Sequence, residues 1–356
     1  MVVESPPLET CPQISRYQGF RSLHNSHVFC IFVTQMLEGK QLILATKPFM
    51  KEDRFKSWYY TLSTLFILIA LLLGTVYNFH WSLKLLCSIC AGFTIVRLFV
   101  IYHDHQHKSI LNRSKAADIL FTIFGFYVLA PAGIWSRSHD YHHKNNSKLF
   151  SASIGSYPIY SKQKYMKCSR AEQIHYLFIR HPLTIAFGYF FAFMWGMCFK
   201  SIINRFSKHI DSLVALILHA AYQVAVFYFL GWQTWILLCA IPHLISGALG
   251  AYLFYAQHNF PGSTFKGNED WTYEGAAMES SSYMELSAPL RWATANIGYH
   301  HIHHINARIP FYRLPEVWNA IPELQAAKKT SLKPKDIIAC FKCKVWDVEN
   351  QKMVGV

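Results

Sequence analysis

The residues of this chain best able to do chemistry are its histidines. Ten of the 19 fall in three short windows, 103 to 107, 139 to 143 and 300 to 304, far apart in the sequence. The first window reads HDHQH, and His103 and His107, four residues apart, share a helix face while His105 points elsewhere. The second supplies His139, His142 and His143. The third supplies His300, His303 and His304. Both of these have the i, i+3, i+4 spacing that aims three imidazoles of a helix at one point. His258, in AQHNFPG, is a ninth candidate ligand. Neutral imidazole is a good ligand for iron, zinc or copper, and no cysteine or acidic residue is interleaved in the third window, which argues against a structural zinc knot. Nine nitrogens are too many for one ion and suit two. Soluble di-iron proteins gather Glu and Glu-x-x-His ligands, so an all-histidine set is a different design.

The remaining polar residues of the windows are read as supports. His105 and His301 fall off the shared faces and are expected to pack or hydrogen-bond behind the ligands, and Asp104 and Asp140 are expected to orient imidazoles. His219 and His243 lie in apolar runs, where each can bond a neighbouring carbonyl.

Something must bring three distant windows together, and the composition says what. The 356 residues are 52% hydrophobic and 16% aromatic, with several long uncharged runs, which points to a polytopic, all-α membrane protein. The formal net charge of +14 is explained by basic residues flanking the spans, and no nucleic-acid-binding motif accompanies it. Scattered cysteines fit a reduced, cytosol-facing protein, the CxxC pairs Cys87/Cys90 and Cys340/Cys343 carry no zinc-finger partner pair, and no cleavable signal peptide is visible.

In chain order, residues 1–56 are expected to be a cytoplasmic N-terminal tail, 57–322 a membrane domain and 323–356 a polar C-terminal tail. Tyr59 to Trp81 and Leu85 to Tyr102 read as two spans, with Arg97 near the end of the second able to snorkel outward. Leu213 to Leu230 and Trp235 to Ala256 read as a second hairpin. Ile119 to Trp135, which contains Pro131 and Gly133, would put the first two windows on opposite sides if it crossed the membrane, so it reads as interfacial or re-entrant, as does Leu183 to Phe199. About four transmembrane helices, interfacial helices and a cytoplasmic cap carrying the histidines result.

The three windows, in order and with a hydrophobic pair on either side, resemble the boxes H-D-x-x-H, H-x-x-H-H and H-x-x-H-H of the membrane fatty acid desaturase family. The likeness to acyl-lipid desaturases, of the omega-6/delta-12 kind, is closest in FYAQHNF, AAMESSSY and NIGYHHIHHINARIPFYRL, and runs from about Tyr59 to Pro322. It implies that His103, His107, His139, His142, His143, His258, His300, His303 and His304 hold two iron ions, with all of these except His258 counted as catalytic. It implies O2 as co-substrate, an acyl chain of a membrane lipid as substrate, and a cis double bond as product. Electrons would come from a separate donor, a ferredoxin or small haem cytochrome, because no fused haem, flavin or nicotinamide motif is present. Trp271, Ser280 to Ser282 and Tyr283 are candidate channel residues. Related membrane hydroxylases, epoxygenases and carotenoid ketolases share the boxes. A histidine-rich metal transporter fits less well, because transporters place ligands within spans near the midplane.

Overall fold

A computed structural model describes residues 37–149 and 157–356, so most of the expected N-terminal tail lies outside the described residues. Among the described residues, three helices are long and apolar enough to cross a membrane: Arg54–Val76, Trp81–Gln106 and the 47-residue stretch Ile210–Ala256. The first begins earlier than its apolar run, because Asp53 caps it by accepting the Lys56 N–H at 3.1 Å. The second runs past Tyr102 to Gln106, so the first histidine window is its last turn, and His107 continues it with a helical φ of −74° and an N–H donated to the His103 carbonyl.

The third stretch is two antiparallel arms. Gly231 breaks it with φ 80° and ψ 165°, a conformation open to glycine. Trp235 Nε1 then donates to Gln223 Oε1 at 2.7 Å, and the rings of His219 and His243 lie 5.0 Å apart. In a straight helix those two histidines would be separated by about 36 Å. The expected hairpin is therefore present. Its outer surface exposes Phe227, Tyr228 and Phe229, and its second arm packs against Trp81–Gln106 so closely that a Cβ on Gly92 would come within 2.8 Å of Ile245 Cβ.

Between the hairpins, the helices Lys115–Tyr127 and Ala132–Asn145 meet at 90°. The break contains Leu129 at φ 57°, and Pro131 precedes the second helix. A bent backbone in an apolar setting must find partners for its carbonyls. Here the Tyr102 hydroxyl donates to the Ala130 carbonyl at 2.8 Å and His219 Nδ1–H donates to the Tyr127 carbonyl at 2.9 Å. His243 bonds the Cys239 carbonyl at 2.8 Å. The two in-span histidines thus act on neighbouring backbone, as their positions suggested. The Leu183 to Phe199 region forms Pro182–Ala186 followed by the π-helical Tyr189–Phe199, and Gly188 and Gly247 let these backbones touch: a Cβ on Gly188 would lie 2.5 Å from the Gly247 carbonyl oxygen.

Two expectations change. Arg97 does not snorkel; it is buried, with Nε donating to Thr64 Oγ1 at 3.0 Å, Nη1 to the Trp292 carbonyl at 2.5 Å, and its guanidinium 4.6 Å from the Trp292 ring. It pins the segment before the third window to the first hairpin, a use of the side chain that local sequence does not reveal. The segment after residue 322, polar by composition, folds back onto the body. Lys329–Ser331 pairs in parallel with Tyr283–Glu285, and Val345–Asp347 pairs antiparallel with Lys352–Val354. The carbonyls of Cys340 and Cys343 accept from Asn259 Nδ2 at 2.9 and 3.0 Å. Buried Cys340, Val345 and Trp346 hold this segment down, an apolar minority that an average over the segment conceals.

Replacing Arg97 with Met leaves the Trp292 carbonyl and Thr64 without their charged donor, and is expected to cost about 2 kcal/mol. Thermal unfolding of the purified variant in detergent should show a lowered midpoint; an unchanged midpoint would mean that the tie contributes nothing.

Candidate metal centre

The histidines assemble into two groups. His103, His107, His139, His143 and His303 form one, and His142, His258, His300 and His304 the other, with the facing nitrogens of each group all within 4.8 Å of one another. Neither set matches a window. The second and third windows are each divided: the i and i+4 residues point to one group and the i+3 residue to the other, because successive positions on a helix are rotated by about 100°. Thus His139 and His143 join His303, while His300 and His304 join His142. The expectation that each of these windows aims three imidazoles at one point gives way to a cross-linked pair of sites, and His258 completes the second site rather than one shared by His300, His303 and His304.

The facing atoms are Nε2 throughout the observed contacts. In the first group, His103 and His139 approach to 2.7 Å, His103 and His107 to 3.2 Å, His139 and His143 to 3.1 Å, and His143 and His303 to 3.0 Å. In the second, His142 and His258 are 3.0 Å apart, His142 and His304 3.2 Å, His258 and His300 2.8 Å, and His300 and His304 3.1 Å. Nitrogens each about 2.1 Å from one ion and at right angles are separated by about 3 Å, so the spacing fits ligation. Hydrogen bonding does not account for it, since a neutral ring carries one proton, and a proton placed on Nδ1 leaves Nε2 a bare lone pair.

Nδ1 is claimed elsewhere where the structure gives it a partner. His258 Nδ1–H donates to the Ser280 carbonyl at 2.9 Å, which turns its Nε2 lone pair toward the group. His103 Nδ1 lies 3.2 Å from Asp104 Oδ1. Burial keeps these rings neutral: His258 is lowered to about 4, and His300, His303 and His304 are held well below the usual imidazole range, by desolvation first and by neighbouring histidines second. Converging neutral imidazoles with no carboxylate or thiolate among them can hold a transition-metal ion and are the wrong chemistry for calcium or magnesium.

The supports partly differ from expectation. Asp104 is buried and does double duty, with Oδ2 accepting the Phe311 N–H at 2.7 Å, so one carboxylate links the first window to the chain beyond the third. Asp140 is exposed on the far side of its helix and supports no ligand. His105 contacts Asp118 Oδ1 at 3.0 Å and the Ile110 carbonyl at 3.2 Å, bracing the loop after the first hairpin. His301, fully buried, lies outside both groups beside Trp318; burial lowers it to about 3, opposed in part by the backbone of Leu324 and Ser282. Trp135 stacks on His139 with ring centroids 4.8 Å apart and planes at 14°. Its position four residues before His139 was the available signal.

An apolar cleft ends at the metal groups. Val96, Phe99, Val100, Leu253 and Phe254 line it, and His103, His139, His142 and His300 close its head. It shares Val96, Phe99 and Gly250 with a second cavity that reaches Phe193, Tyr189 and His243. Trp271, Ser280 to Ser282 and Tyr283 do not line it: Trp271 donates to the Asn146 carbonyl at 2.7 Å and Tyr283 stacks on Trp318 at 4.4 Å.

The family model described as fatty acid desaturase matches residues 79–334. A fatty acid desaturase of Bacillus subtilis (strain 168) is 32% identical over 278 residues, 76% of this chain and 76% of that protein. A chloroplastic omega-6 fatty acid desaturase of Arabidopsis thaliana is 25% identical over 244 residues, 68% of this chain but only 54% of that protein. An sn-1 acyl-lipid omega-3 desaturase (ferredoxin) of Nostoc sp. (strain 36) is 24% identical over 285 residues, 75% of each.

Removing the support of a ligand weakens metal binding by about 10- to 100-fold, so Asp104→Ala is expected to lower metal affinity by that factor. His301→Phe should leave it unchanged. Metal content after titration with a graded chelator distinguishes the two variants, and equal retention by both would refute the division between support and bystander.

Proposed function

Because this chain belongs to the fatty acid desaturase family, we propose that it removes two hydrogens from adjacent carbons of the fatty acyl chain of a membrane lipid, leaving a cis double bond and reducing O2 to water. The observation that carries the reading is the apolar cleft whose head is made by His103, His139, His142 and His300. An unactivated methylene has no acidic proton and no leaving group, so it needs an oxidant rather than an acid or base.

Two iron ions would be held by the five and four histidines of the two groups. When bound, they supply the oxidising power by activating O2. The chain's own residues do the rest. Val96, Phe99, Leu253 and Phe254 exclude water and hold the acyl chain with its reacting carbons against the histidine head. Asp104 and the Ser280 carbonyl fix ring orientation and tautomer. Trp135 keeps the His139 ring in plane.

The two hairpins make four crossings in this reading, with the histidines on the cytoplasmic side and the bent pair of helices lying in the interface. The electron donor is a separate protein, a ferredoxin as in the name of the Nostoc relative or a small haem cytochrome, drawn to a basic cytoplasmic surface. The substrate is of the acyl-lipid kind, with desaturation at the omega-6 or delta-12 position.

Expression in a host with simple lipids, followed by gas chromatography and mass spectrometry of its fatty acids, should reveal a new unsaturated acid. Hydroxy acids without a new alkene would overturn the assignment. His303→Ala should abolish the product and lower bound iron; full iron with undiminished product would exclude it as a ligand.

A further inference from the structure

A third cavity borders the metal centre at His258 and shares no residue with the apolar cleft. It has a volume of about 20 Å³ and is bounded on the inside by His258 and on the outside by the half-buried Asn145 and Lys148. Two of its walls carry buried oxygens that have no hydrogen-bond partner among the described residues, Ser147 Oγ and Asn259 Oδ1. Both residues are held firmly. Asn259, 2% exposed, spends its Nδ2 on the carbonyls of Cys340 and Cys343. Ser147, 7% exposed, sits at φ 60° while its carbonyl accepts the Lys266 N–H at 3.1 Å. A site of about 10–15 Å³ with polar partners holds a water molecule, and these two oxygens, which do not bond each other, are such partners.

Resting on the desaturase reading, we infer that this cavity is the water and proton port of the metal centre, with Ser147 and Asn259 holding the water that lies between the His258 ring and the surface. The reaction needs such a port. Converting CH2–CH2 to CH=CH breaks two C–H bonds; the two hydrogens, two electrons from the donor protein and two protons from solvent reduce one O2 to two waters. The acyl cleft, walled by valine, phenylalanine and leucine and filled by substrate, is a poor path for protons or water. The polar cavity divides the traffic: lipid enters along one wall of the site, and water and protons pass along another.

Radiolytic footprinting of the full-length, metal-loaded protein in 18O-labelled water tests the water directly. Tyr255 and Tyr102 are both fully buried, but only Tyr255 lines the cavity. Label is expected on Tyr255 and on Tyr157, and not on Tyr102. Equal absence of label from all three would overturn the proposal. In the kinetic arm, Ser147→Ala should retain its metal, slow alkene formation by at least about tenfold, enlarge the solvent deuterium isotope effect and release more peroxide per electron consumed. Wild-type turnover and isotope effect in that variant would also overturn it. A wild-type protein that labels Tyr255 yet makes no alkene in the lipid assay would instead refute the desaturase reading, so the two failures are distinguishable.

Discussion

Nine imidazole nitrogens must be held facing one another in a buried place, and most of the structure can be understood as the means of holding them. Lone pairs converging to about 3 Å repel unless a cation lies between them, and water that might relieve the repulsion is largely excluded by burial. No single segment can impose such an arrangement. The nine histidines come from the end of the first hairpin, the second helix of the bent pair, the exit of the second hairpin and the short helix His300–Ile305. Because the second and third windows each contribute to both groups, neither group forms unless both windows are in register.

The same arrangement explains the polar residues that are not ligands. A 90° bend between Lys115–Tyr127 and Ala132–Asn145 aims His139, His142 and His143 at the centre, and it leaves backbone carbonyls in apolar surroundings. Tyr102 and His219 satisfy them. Arg97 performs a comparable task at the Trp292 carbonyl, and Asp104 at the Phe311 N–H. Each of these residues resembles a functional group in isolation, since a charged or titratable side chain in an apolar helix invites that reading. Their partners show that they secure the scaffold on which the ligands stand.

The centre also separates two environments. Apolar side chains lead to one side of it and buried amide and hydroxyl groups to the other. For the desaturation proposed above, such an asymmetry would let a dry approach protect a reactive oxidant from side reactions while a polar one supplies protons.

Much of this was legible in the residues themselves. Spacing singled out eight of the nine ligand candidates and set His105 and His301 apart, because helical geometry is local and depends only on intervals along the chain, while His258 was added from its place just beyond the second hairpin. Apolar runs located both hairpins, and the need to keep three windows on one side identified the bent segment. What the tertiary structure alone decided was how the candidates are shared. Dividing His300, His303 and His304 between two groups depends on the rotation of one helix relative to three other segments, and that is set by long-range packing such as Gly92 against Ile245 and Arg97 against Trp292. The roles of Asp104 and Asp140 diverged for the same reason: both follow a ligand histidine, but only Asp104 faces the interior, where a partner more than 200 residues away meets it.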